Sequence, residues 1–189
     1  MFSSKGQTLM ELIVVVSVSV IIIGALVFAT ISSLRNAQFS KNQAQATKLA
    51  QEGIEQVRLG RDRNQCISLD NNVNSWNDYN ANCPNSGSIW VYQITGTNNN
   101  CENTSTGIKS KCYFNVESNG SLIKRGSQAT FPQSFAQGIP QDAPIFRRAV
   151  TLSDDSATFD KQKTVTVIVR WRDFSGDHES KLTTILRKI

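Results

Sequence analysis

Glu11 is the ionisable residue with the most unusual surroundings in this sequence. It immediately precedes Leu12–Ile31, a run of 20 residues without a charged side chain. A carboxylate costs roughly 2.5–3.5 kcal/mol at the centre of a bilayer and less near its interface. Glu11 therefore needs a positively charged partner in the same layer, or a position from which it reaches the lipid headgroups.

Four cysteines form the second chemically distinctive set, and all of them follow the apolar run: Cys66, Cys83, Cys101 and Cys112. None belongs to a CxxC pair, and the single histidine, His178, does not complete a Cys/His zinc site at ordinary spacing. An even number of cysteines in a loop-rich region after a membrane or export segment favours two disulfides over four reduced thiols. Three pairings are possible, and Cys66–Cys83 with Cys101–Cys112 is preferred because each closes a short loop.

No catalytic set is predicted, and the chain is not expected to be an enzyme. The sequence offers no Ser/His/Asp or Cys/His arrangement and no pair of carboxylates that would frame a cleft. Asp70–Asp78 alternates oxygen-bearing side chains as a calcium loop does, but Ser75 stands where the sharp turn requires glycine. A solvated loop is favoured there, and neither a metal nor a cofactor is predicted.

The formal net charge of +5 is modest, and no block of five like charges occurs. Four arginines in two predicted strands would provide a basic face for DNA; they are Arg147, Arg148, Arg170 and Arg172. The favoured alternative is that they are solvated strand arginines paired with Asp154, Asp155 or Asp173.

One long helix is expected to hold Glu11. No proline occurs before Pro84, so a helix is predicted from about Thr8 to Leu59, about 75 Å in length. Its first half is apolar all round. Its second half has one apolar stripe at helical spacing, formed by Ala46, Leu49, Ala50, Gly53, Ile54 and Val57. Gly60 is expected to end the helix.

The stripe needs a partner surface, and a sheet later in the chain is the predicted one. β-branched, aromatic or alternating runs predict strands at Ile89–Thr95, Lys111–Glu117, Phe146–Ser153, Lys163–Asp173 and Ser180–Arg187. The expected fold class is α+β. A long N-terminal helix, hydrophobic in its first half, would pack through its C-terminal half against an antiparallel sheet of four or five strands.

Lys5-Gly6, followed by Gln7-Thr8-Leu9-Met10-Glu11-Leu12 and the apolar run, resembles the class III signal of type IV prepilins and pseudopilins. In that family a membrane peptidase cuts after the glycine, the new N-terminal residue is N-methylated, and the fifth mature residue is a glutamate. The resemblance implies cleavage after Gly6, a mature N-terminus at Gln7, where the family usually has phenylalanine, and Glu11 as that glutamate.

The function that the resemblance implies is a structural subunit of a type IV pilus or related pseudopilus, with a pilin-like fold. Residues 1–6 would be the leader, with Lys5 as its basic residue, and 7–31 the transmembrane and filament-core helix. Residues 32–60 would be the amphipathic half of the helix, and 61–189 a disulfide-containing, β-rich head. Glu11 would pair with the N-terminal amine of the neighbouring subunit.

The partners implied are other copies or related subunits, the prepilin peptidase and an assembly platform in the inner membrane. The head is expected outside the cytoplasm, first on the cytoplasmic membrane and then in an extracellular or periplasmic filament. The positive-inside count favours the opposite orientation, because Arg35 and Lys41 follow the span whereas Lys5 alone precedes it. The expected orientation comes from the cysteines and the resemblance.

Two alternatives stay open for the N-terminal segment. A plain single-pass anchor would hold an extracellular adhesion or ligand-binding module that does not polymerise. A secretory signal peptide cut after Ala29 would release a soluble protein.

Overall fold

The computed structural model describes residues 5–63, 67–68, 111–128, 130–155, 157–158 and 161–187. The chain separates into two compact units, Met1–Asn42 and Gln43–Ile189. The described part of the first unit is helical, and the second unit contains the continuation of that helix together with a β-sheet. The predicted α+β class is confirmed.

Helix α1 extends from Lys5 to Asp62, which confirms the predicted long helix. Its end differs from the prediction, because Gly60 lies inside the helix. Gly60 packs against the backbone of Gly120, which lies in a strand-to-strand turn with a φ of 89°, and a methyl group at residue 60 would overlap the Gly120 carbonyl oxygen. Close approach of two backbones, not a helix stop, therefore requires this glycine.

One sheet in the second unit contains the seven strands of the described residues. They are β1 (Ile67–Ser68), β2 (Lys111–Val116), β3 (Leu122–Gln128), β4 (Gln137–Ile139), β5 (Phe146–Ser153), β6 (Gln162–Asp173) and β7 (Gly176–Arg187). Their order is β1-β3-β2-β5-β6-β7, and β4 pairs with β5. Pairing is antiparallel throughout, except that β1 and β3 are parallel.

Four of the five predicted strands are confirmed as β2, β5, β6 and β7, and the fifth, Ile89–Thr95, lies outside the described residues. β7 begins at Gly176, four residues earlier than predicted. The sheet is larger than expected because β1, β3 and β4 were not predicted. β3 begins with three consecutive buried residues and therefore lacks alternation, while β1 and β4 are only two and three residues long.

The predicted stripe of α1 packs on one face of the sheet. Ala46, Ala50 and Val57 belong to a buried cluster with the inward-facing valines of β6. A Cβ added at Gly53 would lie 2.9 Å from Val167 Cγ1, so this glycine permits the close helix–sheet contact. Burial of each such valine contributes about 1.5–3 kcal/mol to the free energy of unfolding, so this face makes a large contribution to the stability of the second unit.

The opposite face of the sheet is covered near its centre by the segment that follows β3. Phe131 and Ala136 pack there on Tyr113 and Ala149. Burial raises the pKa of the Tyr113 hydroxyl. We call this side the outer face. Because both faces of β2 and β5 are covered, burial along these two strands does not alternate.

Candidate functional site

The apolar part of α1 presents an unusual surface. Its large side chains are exposed, for example Ile21 at 70% and Phe28 at 77%. By length and composition this helix could cross a membrane, and none of its most apolar segment is buried within the described chain. These properties are compatible with a membrane anchor or with a signal helix.

The hydroxyl groups in this surface bond back to their own helix. Ser17 Oγ donates to the Ile13 carbonyl at 2.8 Å, and Ser19 Oγ donates to the Val15 carbonyl at 2.7 Å. Thr30 Oγ1 donates in the same way to carbonyls one turn earlier. The polar groups within the apolar run are therefore already satisfied, and the run has no need of water.

Glu11 is the exception in that surface. It is the sole charged residue between Leu9 and Leu34, and its side chain is exposed. None of the described residues forms an ion pair or hydrogen bond with it. The carboxylate is thus the charge in this apolar surface for which the described residues supply no partner.

The residues predicted for processing lie at the start of α1. Lys5, Gly6 and Gln7 form its first turn, and their side chains are outside the described set. Cleavage after Gly6 and methylation of Gln7 therefore stay predictions.

Of the four cysteines, the structure describes Cys112 alone. It lies in β2, is 2% exposed and is disulfide-bonded. Cys66, Cys83 and Cys101 lie outside the described residues, as does the Asp70–Asp78 segment. The pairs Cys66–Cys83 and Cys101–Cys112 therefore stay predictions.

The prediction of a solvated strand arginine is wrong for Arg148, which is 3% exposed on the helix-facing side of β5. Its Nη1 donates to the Leu49 carbonyl at 3.2 Å, and its Nη2 donates to Gln56 Oε1 at 3.0 Å. Gln137 Oε1 accepts from Nε and Nη2 at 3.1 and 2.9 Å. Burial lowers the pKa of Arg148, and Glu52, 3.6 Å away, opposes that shift. Arg148 fastens α1 to the sheet and takes no part in a basic face.

Two of the other strand arginines, Arg170 and Arg172, lie beside acids that were not predicted as their partners. Arg170 Nη2 lies 2.7 Å from Glu179 Oε2. Arg172 Nε is 3.7 Å from Asp177 Oδ1, beyond hydrogen-bond distance.

The predicted aspartate Asp154 instead accepts from Lys163. Lys163 Nζ lies 2.7 Å from Asp154 Oδ2, and both side chains are almost completely buried, 1% and 0% exposed. Each charge compensates the other in a place that water does not reach.

Asp173, Ser175 and His178 meet at the β6–β7 turn, a cluster that sequence reasoning missed. Asp173 Oδ1 accepts from the Ser175 backbone N–H at 2.8 Å and from its hydroxyl at 2.7 Å. His178 Nε2 lies 2.9 Å from both Asp173 Oδ1 and Ser175 Oγ. Bonds to Ser175, followed by His178, lower the pKa of Asp173 to about 2.

This cluster does not have the geometry of an acyl-transfer triad. In a triad the carboxylate accepts a hydrogen bond from the Nδ1–H of the histidine, and the serine hydroxyl donates to Nε2. Here Asp173 Oδ1 and Ser175 Oγ both lie beside Nε2. The His178 ring also stacks on Trp171, with 5.4 Å between ring centroids. The Asp-x-Ser spacing at a turn is the signal from which the cluster could have been predicted.

Within the described ranges no group of three His, Cys, Asp or Glu side chains is placed to hold a metal ion. Comparison with protein-family models, with curated proteins and with solved structures gives no match for this chain.

Proposed function

We propose that this protein is a structural subunit of a type IV pilus or related pseudopilus, cleaved after Gly6 and polymerised through its N-terminal helix. The observation that carries the proposal is the helix surface between Leu9 and Leu34. It is exposed, its Ser17, Ser19 and Thr30 hydroxyls donate to carbonyls of the same helix, and Glu11 is its sole charge.

An apolar surface of this extent requires a non-aqueous environment. Before assembly the bilayer would supply it, and in a fibre the same helix of other copies would do so. The small residues Ser17, Ser19, Gly24 and Ala25 allow close helix–helix approach. Contacts between different surfaces of identical subunits generate an open helical polymer when the rotation between neighbours does not close a ring, and this is the arrangement we propose.

Cleavage after Gly6 would give Glu11 its partner. It creates an amine at Gln7, which is positive at neutral pH. In one subunit of the fibre the amine would meet the Glu11 carboxylate of the next subunit. Two charges that are each unfavourable in an apolar layer become tolerable as a pair, which favours correctly registered subunits over any other stacking.

We further propose that the head is held by two disulfides and lies outside the cytoplasm. The support is the disulfide-bonded state of Cys112 and the even number of cysteines.

The decisive experiment combines charge variants with analysis of sheared fibres. Glu11→Ala and the neutral isostere Glu11→Gln should remain membrane-bound and processed. Fibre yield should fall at least about tenfold, the effect of losing about 1.4 kcal/mol per contact. Ser17→Ala is the matched control, because the Ser17 hydroxyl bonds to its own helix. Normal fibre yield from Glu11→Gln would contradict the pairing mechanism.

The alternative is a membrane-anchored adhesion or ligand-binding module that does not polymerise. N-terminal sequencing of the mature protein separates the two. A chain that begins at Gln7 and becomes uncleaved in Gly6→Ala supports the pilin assignment, whereas a chain that begins at Met1 supports the anchored module. A chain that begins at Thr30 would indicate an ordinary secretory signal.

A further inference from the structure

Two arginines lie directly opposite each other on the outer face of the sheet. Arg147 of β5 and Arg170 of β6 are register partners. Like charges in such a cross-strand pair destabilise the sheet unless other groups compensate them. The groups around these two side chains therefore indicate whether their charges are compensated within the chain or could be compensated by a bound ligand.

Arg170 is compensated within the chain. Its Nε and Nη2 both lie 2.7 Å from Glu179 Oε2. Its guanidinium carbon also stands 4.6 Å from the centroid of the Phe131 ring, in a cation–π contact. These contacts compensate the charge of Arg170 and fix its side chain in place.

Arg147 is not compensated in this way. Among the described residues it has neither an ion pair nor a hydrogen bond. Further along the same face, Arg172 is 81% exposed and its Asp177 contact of 3.7 Å is too long for a hydrogen bond. The guanidinium groups of Arg147 and Arg172 on this face thus have N–H groups that can donate hydrogen bonds to a ligand.

These arginines line a cleft of about 390 Å³, within the usual size range of small-ligand sites. Gln133 adds an amide, and Pro144 and the exposed Ile145 form an apolar wall. The three arginines outnumber the two acids beside them, Glu179 and Asp177, by one positive charge. An anion that enters the cleft would therefore find both hydrogen-bond donors and one uncompensated positive charge.

We propose that this cleft is a phosphate-binding site in which Arg147 and Arg172 hold the anion, with Arg170 as a fixed positive charge behind it. Planar guanidinium groups bind oxyanions through paired N–H donors. A phosphate presents three or more acceptor oxygens in different directions, so it can engage arginines that come from two strands. A carboxylate has only two oxygens in one plane.

The test is isothermal titration of the full chain in neutral detergent with inorganic phosphate and with pyrophosphate. Ionic strength is held constant with sodium chloride, so that screening does not change during the titration. We expect saturable binding at one site, weakened at least about tenfold in Arg147→Gln and in Arg172→Gln. Arg58→Gln is the matched control and should bind as the unaltered chain does, because Arg58 pairs with Glu55 on an exposed side of α1.

Thermal unfolding provides an independent readout. Pyrophosphate should raise the midpoint of the unaltered chain and leave that of Arg147→Gln unchanged, because a ligand stabilises only the form that binds it. Without pyrophosphate, Arg147→Gln should be at least as stable as the unaltered chain, since the like-charge pair is gone. The proposal is overturned by absent saturation, by equal binding to Arg147→Gln, or by acetate binding as tightly as phosphate. None of these results bears on fibre formation.

Discussion

At the scale of single residues, glycines and buried polar groups determine how closely α1 packs against the strands and turns of the second unit. Gly60 and Gly120 bring a helix backbone and a turn backbone into direct contact, and Gly120 also lies close to the Gln56 carbonyl. The turn itself is closed by backbone bonds between Glu117 and Ser121 and between Gly120 and Glu117, both 2.9 Å long. Neither backbone can move without breaking its own hydrogen bonds.

Gly60→Ala should therefore destabilise the head. The added methyl would force rigid backbone apart, an overpacking effect that costs about 1–3 kcal/mol or more. Gly24→Ala is the matched control in the same helix, because nothing lies within 4 Å of a Cβ at that position. It should be neutral or should favour the helix by up to about 1 kcal/mol. Denaturant unfolding followed by near-ultraviolet circular dichroism measures both, and equal stability of the two variants would refute the explanation.

Asp173 should make the head sensitive to acid. Its pKa in the folded state, about 2, lies below the ordinary value of 3.8, so the folded state favours the carboxylate. The associated stability is fully present above about pH 4 and is lost as the pH falls towards 2. The free energy of unfolding of Asp173→Asn should consequently decline less steeply over this interval. Asp142→Asn, on an exposed side chain, is the control; identical slopes for Asp173→Asn and the unaltered chain would contradict the prediction.

At the scale of elements, hydrophobic pattern predicted the long helix and the C-terminal hairpin well. Val165, Val167 and Val169 alternate strictly because β6 is buried on one side and half-exposed on the other. Pattern failed for β3, in which Leu122, Ile123 and Lys124 are buried in succession. Its pairing with β2 also contains a bulge, which interrupts the regular register.

For Arg148, the alternation of residues along the strand and the residue type predict different side-chain positions. It has the same parity along β5 as Phe146 and Val150, which indicates an inward side chain, but its charge suggests solvent. Gln56 of α1 and Gln137 of β4 supply the acceptors that make the inward position possible. Gln56 is 92 residues away in sequence and Gln137 lies on a strand too short to predict, so their contribution appears only in the folded structure.

Arg148→Ala should loosen the attachment of α1 to the sheet. It removes a buried side chain and leaves the Leu49 carbonyl and two glutamine side chains without their donor. A fully buried group without a partner costs about 1–3 kcal/mol; these three residues are half-buried and water partly relieves them, so we expect a loss of about 2–4 kcal/mol. Arg58→Ala removes an exposed ion pair of the same helix and should cost less than about 0.5 kcal/mol. Comparable losses in both variants, measured by denaturant unfolding, would show that Arg148 has no special role.

At the scale of the whole molecule, the two units differ in whether their apolar residues are buried or exposed. The second unit buries its apolar stripe against its own sheet, so its architecture follows from the chain alone. The first unit exposes its apolar residues, and none of the described residues covers them. Sequence could predict the apolar run and the isolated Glu11, because both are properties of composition. Cleavage after Gly6 stays a prediction, because it was made from a resemblance and the fold of the described residues does not bear on it.

The burial of Lys163 against Asp154 has a practical consequence for chemical tagging. Amine-reactive dyes acylate lysines that solvent reaches, such as Lys48 and Lys181, and should spare Lys163 and the similarly enclosed Lys124. Fluorescent tagging of the intact protein therefore leaves its internal ion pair unmodified. A dye found on Lys163 by peptide mapping would identify molecules whose heads had opened before or during the reaction.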